Sequence, residues 1–189
     1  MKKIILAFAL LFAVSVQAQY AAVHLYGGYT NNLMGSDQYI TSFESPGFIG
    51  GAGINVEFDV SDWFSWYIGS DVEMYFSKDE IGAYILPNVG VYFGYENTPY
   101  VYLSFYPHIN VVGIGHHQMG DYLCLWAELD MGVGYEYKIK GPHSIYAEAG
   151  VGYEMTLYQA EELRYNNPQV HNEVPLCITL GYRYYIKPE

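Results

Sequence analysis

The feature that most constrains this chain is a two-residue alternation of apolar and polar side chains. From Leu123 to Ile139 the odd positions are all apolar, whereas the even positions are mostly charged, polar or glycine. A period of two is typical of a β-strand with one apolar and one polar face. Seven more segments alternate in this way: 21–30, 48–60, 63–76, 83–96, 100–114, 145–157 and 174–186. The sequence therefore predicts eight strands.

The predicted connections alternate in length. Short links with turn-forming residues lie near 61–62, 97–99 and 140–142. Longer links run over 31–47, 77–82, 115–121 and 159–173. The short links and both chain ends then lie at one end of the strands, which we name the short-turn end, and the longer links lie at the far end. This layout predicts an all-β, eight-stranded antiparallel up-and-down transmembrane β-barrel.

Alternation alone does not tell which face points outward, because a soluble lipocalin-like barrel alternates with its apolar face inside. Charged residues make up 15% of the chain, whereas about a quarter is usual for a protein whose whole surface meets water. Glycines such as Gly90 and Gly134 are frequent on the polar face, and bulky aromatic residues are frequent on the apolar face. An eight-stranded barrel has little interior room. We therefore predict that the apolar face points outward to lipid.

Aromatic residues of the apolar face also fall at two heights. The larger group lies near the short-turn end, as expected of an interfacial girdle, and a smaller belt is predicted at the far end. The first group is Phe58, Phe64, Trp66, Phe93, Tyr95, Tyr135, Tyr137, Tyr182 and Tyr184, and the second is Tyr29, Phe48 and Phe76.

The N-terminal segment is a predicted export signal. Lys2 and Lys3 precede an apolar run that ends at Ala18, and this run is too short for a spanning helix. We interpret residues 1–19 as a cleaved signal peptide and 20–189 as an outer-membrane β-barrel domain, with a retained anchor as the alternative. Loss of the two lysines takes the formal charge from −12 to −14. With 8 basic and 20 acidic residues, the chain has no basic block that could bind nucleic acid.

The strand pattern and loop layout together resemble the outer-membrane β-barrel domain family of Gram-negative bacteria, namely small barrels similar to the OmpA transmembrane domain. The resemblance covers residues 20–186, and the tyrosine-rich strands are similar to those of Bacteroidota proteins. The stretch 174–186 resembles the closing strand that the barrel-assembly machinery recognises, although 187–189 follow where the family commonly ends on an aromatic residue. The resemblance implies a location in the outer membrane, contact with lipid and lipopolysaccharide, and a monomer.

The polar face predicts a lumen that contains more acids than bases. A buried charge needs a partner because an unpaired ion is costly in a low dielectric. We predict a structural salt-bridge network of Arg183 with Glu57, Glu136 or Glu148. The complete predicted polar network is Arg183, Glu57, Glu136, Glu148, His24, Glu128 and Asp130. A second reading, left open, is that Glu73, Glu128, Asp130 and Glu154 bind a divalent cation.

The functional expectation is a non-enzymatic outer-membrane protein with a structural, envelope-integrity or loop-mediated binding role. No nucleophile, base and orienting acid can be placed together on the sequence, so we expect no catalytic residue, no cofactor and no metal. The alternatives are a lipid-modifying enzyme of the lipid A acyltransferase or deacylase type, a narrow porin-like channel, and a secreted soluble ligand-binding barrel. Pro87 and Pro107 favour the enzyme, because they interrupt two neighbouring strands and could open a slot for a lipid chain.

Three further features lie near the far end. Residues 116–117 are adjacent histidines on a predicted loop, and we expect them to be solvated rather than metal-bound. Cys124 and Cys177 are predicted to lie with one strand between them, which exceeds the reach of a disulfide, so free thiols are favoured. The alternative is a disulfide at a distorted rim, because export to an oxidising space favours pairing. The first and fourth long loops, 31–47 and 159–173, carry tyrosine and acidic residues and are the predicted recognition surfaces.

Overall fold

Eight antiparallel strands close into one barrel. The computed structural model describes residues 19–34, 46–78, 80–94, 97–115, 124–159 and 172–186. The strands are β1 (Gln19–Met34), β2 (Gly47–Ser61), β3 (Phe64–Ser77), β4 (Glu80–Phe93), β5 (Pro99–Gly115), β6 (Cys124–Lys140), β7 (His143–Gln159) and β8 (Asn172–Ile186). Each strand pairs with its neighbours in sequence, and β1 pairs with β8 to complete the ring. The predicted fold class is confirmed. Among the described residues, no helix is long and apolar enough to cross a membrane.

Two of the connections at the short-turn end are tight, as predicted. Asp62 and Trp63 join β2 to β3, and Gly141 with Pro142 joins β6 to β7. Gly141 has a φ of 63°, a left-handed conformation that glycine adopts without strain. One predicted connection is wrong: β3 ends at Ser77 and β4 begins at Glu80, so the long loop expected over 77–82 is a two-residue link. Polar residues near this link end the apolar–polar alternation in the sequence before the strands themselves end.

The outward face of every strand carries exposed apolar side chains. One such residue from each strand, in chain order, is Leu25, Ile54, Val72, Ile85, Val101, Met131, Val151 and Leu180. A water-soluble protein rarely exposes a continuous apolar surface of this kind. The predicted orientation, with the apolar face outward, is therefore the one that the structure has.

The predicted aromatic groups pack into clusters on this outer surface. Phe58 and Trp66 stack with ring centroids 4.0 Å apart, which explains why Phe58 is buried although it points outward. Phe64 and Phe93 stack at 5.1 Å near the same end. At the far end Tyr29 contacts Phe48 edge to face, with ring centroids 5.7 Å apart. Tyr95 lies outside the described residues.

The inward face is bulkier than expected, because tyrosines fill the lumen as well as glycines. A side chain on Gly90 would collide with the ring of Tyr67, and one on Gly134 would collide with the ring of Tyr100. Each of these glycines provides the space into which a tyrosine ring from the neighbouring strand packs. The expectation of bulk outside and glycine inside was therefore incomplete: the glycines are present because large inward side chains lie over them.

Candidate functional site in the barrel lumen

Arg183 is the centre of a polar layer that crosses the lumen near the short-turn end. Its Nη1 donates to Oε2 of Glu136 at 2.8 Å and lies 3.8 Å from Oε1 of Glu57. Its guanidinium carbon is 4.8 Å from the ring centroid of Tyr146 and 5.7 Å from that of Tyr92. These residues come from β2, β4, β6, β7 and β8, so one buried cation links five strands. We name this set the Arg183 layer.

Glu136 has further partners in the layer. The hydroxyl of Tyr185 donates to Oε1 of Glu136 at 2.8 Å, and the hydroxyl of Ser144 also donates to that oxygen. The Nη1 of Arg183 is 3.3 Å from the Tyr185 hydroxyl. Hydrogen bonds to an ionised group are about twice as strong as those between neutral groups, and Glu136 thereby connects Arg183, Tyr185 and Ser144.

Glu148 and His24 form their hydrogen bonds with other residues, although His24 is the cross-strand neighbour of Arg183 on β1 and the charge of Arg183 acts on Glu148. Glu148 accepts a hydrogen bond from Tyr100 at 2.5 Å, and Nε2 of His24 lies 2.9 Å from Oδ1 of Asp71. The structure thus brings Arg183 to Glu136 and Glu57, whereas Glu148 and His24 have partners that the sequence analysis did not identify. Glu128 and Asp130 line a cavity further along the lumen.

Two residues that the alternation placed inside are exposed. Asp59 and Lys138 have inward parity, but both lie close to the short-turn end, where the lumen opens. They line the open vestibule described below. Alternation predicts the face of a strand but does not predict how far from the rim a residue lies.

Four side-chain pairs follow a common rule, in which each pair joins two strands that are not neighbours. His24–Asp71 and Tyr26–Glu73 connect β1 to β3, with distances of 2.9 and 2.8 Å. The pair Tyr67–Ser104 connects β3 to β5 at 2.6 Å, and the Tyr100–Glu148 pair connects β5 to β7. The strand between them carries a glycine at the crossing point, namely Gly53, Gly51, Gly90 and Gly134 respectively. A side chain at any of these glycines would displace the side-chain pair that crosses over it.

The Arg183 layer separates two spaces inside the barrel. On the far-end side lies a cavity of about 160 Å³, which we name the lumen cavity. On the short-turn side a vestibule of about 900 Å³ opens outward. Arg183 and Tyr92 line both spaces, which places them in the layer between the two. The eight-stranded lumen is thus filled by side chains at this height, as expected for a barrel of this size.

The divalent-cation reading has no supporting geometry. Among the described residues, no group of three or more His, Cys, Asp or Glu side chains is arranged so that it could hold a metal ion. Glu73 lies on β3, whereas Glu128 and Asp130 lie on β6 and Glu154, the cross-strand partner of Glu128, lies on β7. Calcium needs six to eight oxygens at 2.3–2.6 Å.

The ladder between β4 and β5 is interrupted at the predicted prolines. Cross-strand pairs are formed by Ile85 with Ile109 and by Val89 with Phe105, and no pair is formed between these two points. Pro87 and Pro107 lie at the centre of the gap. Proline has no N–H to donate to a ladder, so the two prolines themselves account for the interruption. The predicted interruption of these two strands is confirmed.

Comparison with known proteins gives structural similarity only. No family model matches the chain, and no curated protein sequence matches it significantly. Neisserial surface protein A is 15% identical, with 88% of this chain and 96% of that chain covered and a TM-score of 0.49. The outer membrane protein AlkL, solved by solid-state NMR in lipid bilayers, is 9% identical over 91% and 92%, also with a TM-score of 0.49. The β-domain of the Bordetella autotransporter BrkA is 10% identical over 89% and 99%, with a TM-score of 0.38.

Several predicted features fall outside the described residues. These are most of the first long loop, the adjacent histidines at 116–117, most of the fourth long loop, the signal peptide up to residue 18, and the C-terminal residues 187–189. The side chain of Cys124 is also outside them. Cys177 is described and is a free thiol that lines the lumen cavity.

Proposed function

We propose that this chain is a non-enzymatic integral outer-membrane β-barrel protein whose role is structural, in envelope integrity or in binding through its extracellular loops. The observation that carries the proposal is the outward apolar surface of a closed barrel. A soluble lipocalin-like barrel has the opposite orientation, with its apolar side chains around an internal ligand. Such a surface is favourable when it is surrounded by hydrocarbon. A closed barrel can span the bilayer because it pairs its backbone groups within the ring, here with an interruption at Pro87 and Pro107.

The interior supports a structural role rather than transport. The Arg183 layer fills the lumen with ion pairs and tyrosine rings, and this favours a closed barrel over a porin-like channel. We propose that the outer surface contacts lipid and lipopolysaccharide, that the barrel-assembly machinery inserts the chain with β8 as its closing strand, and that the barrel is monomeric. Nucleic acid is not a proposed partner, because the chain is strongly acidic. We also propose that this chain is related to the small OmpA-like barrels. Its origin in Bacteroidota remains a prediction.

Cell fractionation tests the proposal. The full-length chain, expressed in a Gram-negative host, is expected in the outer-membrane fraction and in detergent extracts, and it should migrate faster on gels when unheated than after boiling. Val133→Arg puts a charge in the middle of the apolar band and should lower recovery of the folded form, since such a charge costs about 2–4 kcal/mol at the midplane. Recovery of the unmodified chain in the soluble periplasmic fraction would contradict the proposal.

A second candidate function is supported by the ladder interruption at Pro87 and Pro107. An opening between two strands could admit an acyl chain from the bilayer, as a lipid A acyltransferase or deacylase requires. The test compares lipid A mass spectra of cells with and without the gene. A change in acyl-chain number that depends on the gene would replace the non-enzymatic proposal, and identical spectra would remove the enzyme reading.

A further inference from the structure

The lumen cavity has two chemically different walls. One wall is apolar and consists of Ile49 on β2, Tyr75 on β3, and Tyr84 with Leu86 on β4, which form a buried hydrophobic cluster. The opposite wall is acidic and consists of Glu128 and Asp130 on β6 with Glu148 and Glu154 on β7. In a ring of eight strands, β2–β4 and β6–β7 lie across the lumen from each other. Asp71 and Glu73 on β3 also line the cavity, opposite Leu86 and Tyr84 in the ladder with β4, so the apolar cluster borders carboxylates on its own side as well.

The described lining of the cavity contains more acids than bases. With Asp71 and Glu73 the carboxylates number six, and the basic side chains are His24 and Arg183. Arg183 pairs with Glu136 and Glu57, which belong to the vestibule lining, and His24 pairs with Asp71. The charge of Arg183 also acts on Glu148, whereas the charge that acts most on Asp130 is that of the neighbouring Glu128, so the Asp130 side of the wall favours a cation.

Three buried oxygens in the same lining accept no hydrogen bond from any described residue. They are Oδ1 of Asp130, Oδ1 of Asn55 and Oδ1 of Asn88, and their residues are 9%, 4% and 4% exposed. The Tyr102 hydroxyl interacts with the Asp130 carboxyl group, but not through this oxygen. A buried acceptor without a donor costs about 1–3 kcal/mol. A ligand that satisfies these atoms must bring N–H or O–H donors.

The size and the aromatic content of the cavity define the ligand further. A cavity of about 160 Å³ is close to the roughly 150 Å³ that accommodates benzene in an engineered apolar cavity. Eight tyrosines line it: Tyr26, Tyr67, Tyr75, Tyr84, Tyr92, Tyr102, Tyr106 and Tyr146. Aromatic faces attract ammonium groups. No group of three or more His, Cys, Asp or Glu side chains among the described residues could hold a metal ion, whereas the tyrosine faces suit an organic cation.

We propose that the lumen cavity binds a small organic ammonium ion, with its hydrocarbon part against the wall formed by Ile49, Tyr75, Tyr84 and Leu86 and its N–H donors toward Asp130 and the neighbouring carboxylates. The ammonium group brings positive charge and N–H donors, and it carries no acceptor of its own. The proposal goes beyond the structural role proposed above and does not depend on it.

The test uses benzylammonium as the probe and benzyl alcohol as its neutral counterpart of similar shape. The refolded barrel in detergent micelles is titrated with each compound by isothermal titration calorimetry, and the heat measured with empty micelles is subtracted. We expect saturable one-site binding of benzylammonium and at least about tenfold weaker binding of benzyl alcohol, because only the cation pairs with the acidic wall.

Charge-neutralising variants locate the site. Asp130→Asn should weaken benzylammonium binding about tenfold or more, since it removes the carboxylate whose Oδ1 is buried in the lining. Asp62→Asn is the matched control, because it removes the same charge from an exposed turn at the short-turn end; it should leave the affinity unchanged within about twofold. Glu128→Gln provides a second acidic-wall variant if Asp130→Asn does not give the faster-migrating folded form.

Three outcomes would overturn the proposal. The first is heat no different from that of empty micelles, which would mean that water alone fills the cavity. The second is equal affinity for benzylammonium and benzyl alcohol, which would indicate apolar partitioning. The third is unchanged binding in every folded acidic-wall variant, which would place the bound amine outside the lumen cavity.

Discussion

Arg183 is 4% exposed and contributes a full positive charge to the lumen. Two carboxylates and the faces of two tyrosine rings surround its guanidinium, so its desolvation is offset by several favourable contacts at once. Removal of one partner from a buried ion pair is destabilising, because the remaining charges stay buried without a partner.

Arg183→Ala is accordingly expected to lower the free energy of unfolding by about 3–5 kcal/mol. Lys138→Ala removes the same formal charge from the exposed rim and should cost no more than about 1 kcal/mol. Urea unfolding of both variants in lipid vesicles, followed by tryptophan fluorescence, gives the comparison. Equal losses for the two variants would mean that the Arg183 layer has no special role in stability.

The glycine crossings make a second prediction at single-residue scale. Gly134→Ala forces the ring of Tyr100 to move and disturbs its hydrogen bond to Glu148, so it should cost about 1–3 kcal/mol. Gly27→Ala meets only ordinary contact, with the nearest atom 3.8 Å away, and should change stability by less than about 1 kcal/mol. The same unfolding assay applies. A Gly134→Ala barrel as stable as Gly27→Ala would show that the crossing tolerates a methyl group.

At the scale of the strand, the sequence carries most of the information. Side chains alternate across a strand whatever the neighbouring strand is, and for this reason the alternation over Leu123 to Ile139 predicted both the strand and its two faces. Partners on other strands are different. Glu136 meets Arg183 from two strands away, and Asp71 meets His24 across β2, so both contacts depend on how far each strand is shifted along its neighbour.

The shift of one strand along its neighbour cannot be predicted from the sequence of either strand alone. It is set when the ring closes, since strand tilt, stagger and strand number are linked in a barrel. The sequence did contain a signal for these partners, namely glycines at inward positions next to inward tyrosines on adjacent strands, but using it requires the register. The prediction of a long loop between Ser77 and Glu80 was wrong for a related reason. Polar residues at the end of a strand have the same sequence pattern as loop residues.

The aromatic residues at the short-turn end predict that the adjoining ends of β2, β3 and β4 lie at the membrane interface. Trp63 is half exposed and contacts Phe64 and Phe93, which suits the membrane interface. With Trp66→Phe and Trp126→Phe, Trp63 is the only tryptophan. Its fluorescence should be quenched more by lipids brominated near the carbonyl end of the acyl chain than by lipids brominated near the chain end.

The control is a tryptophan at mid-height. A barrel whose three natural tryptophans are replaced by Phe, and which carries Val133→Trp, should show the reverse order of quenching, because Val133 lies in the middle of the apolar band. The same quenching order for both single-tryptophan barrels would contradict the assigned positions relative to the membrane.

For the whole molecule, the filled lumen predicts electrical behaviour. The Arg183 layer lies between the lumen cavity and the vestibule, and an eight-stranded barrel leaves little room beside it. The purified barrel in planar bilayers is therefore expected to give no steady ionic current, compared with bilayers that receive detergent alone. A steady current that increases with salt concentration would show that the lumen is a continuous aqueous path.

Site-directed spin labelling reports which side of the strands faces lipid. Met131→Cys, Val133→Cys and Leu180→Cys are labelled one at a time in a barrel with Cys124→Ser and Cys177→Ser, reconstituted in lipid vesicles, and Asp62→Cys serves as the aqueous reference. The three strand labels are expected to collide readily with oxygen and seldom with a water-soluble nickel complex, whereas the reference label should collide readily with nickel. Strand labels as accessible to nickel as the reference would contradict an apolar surface facing hydrocarbon.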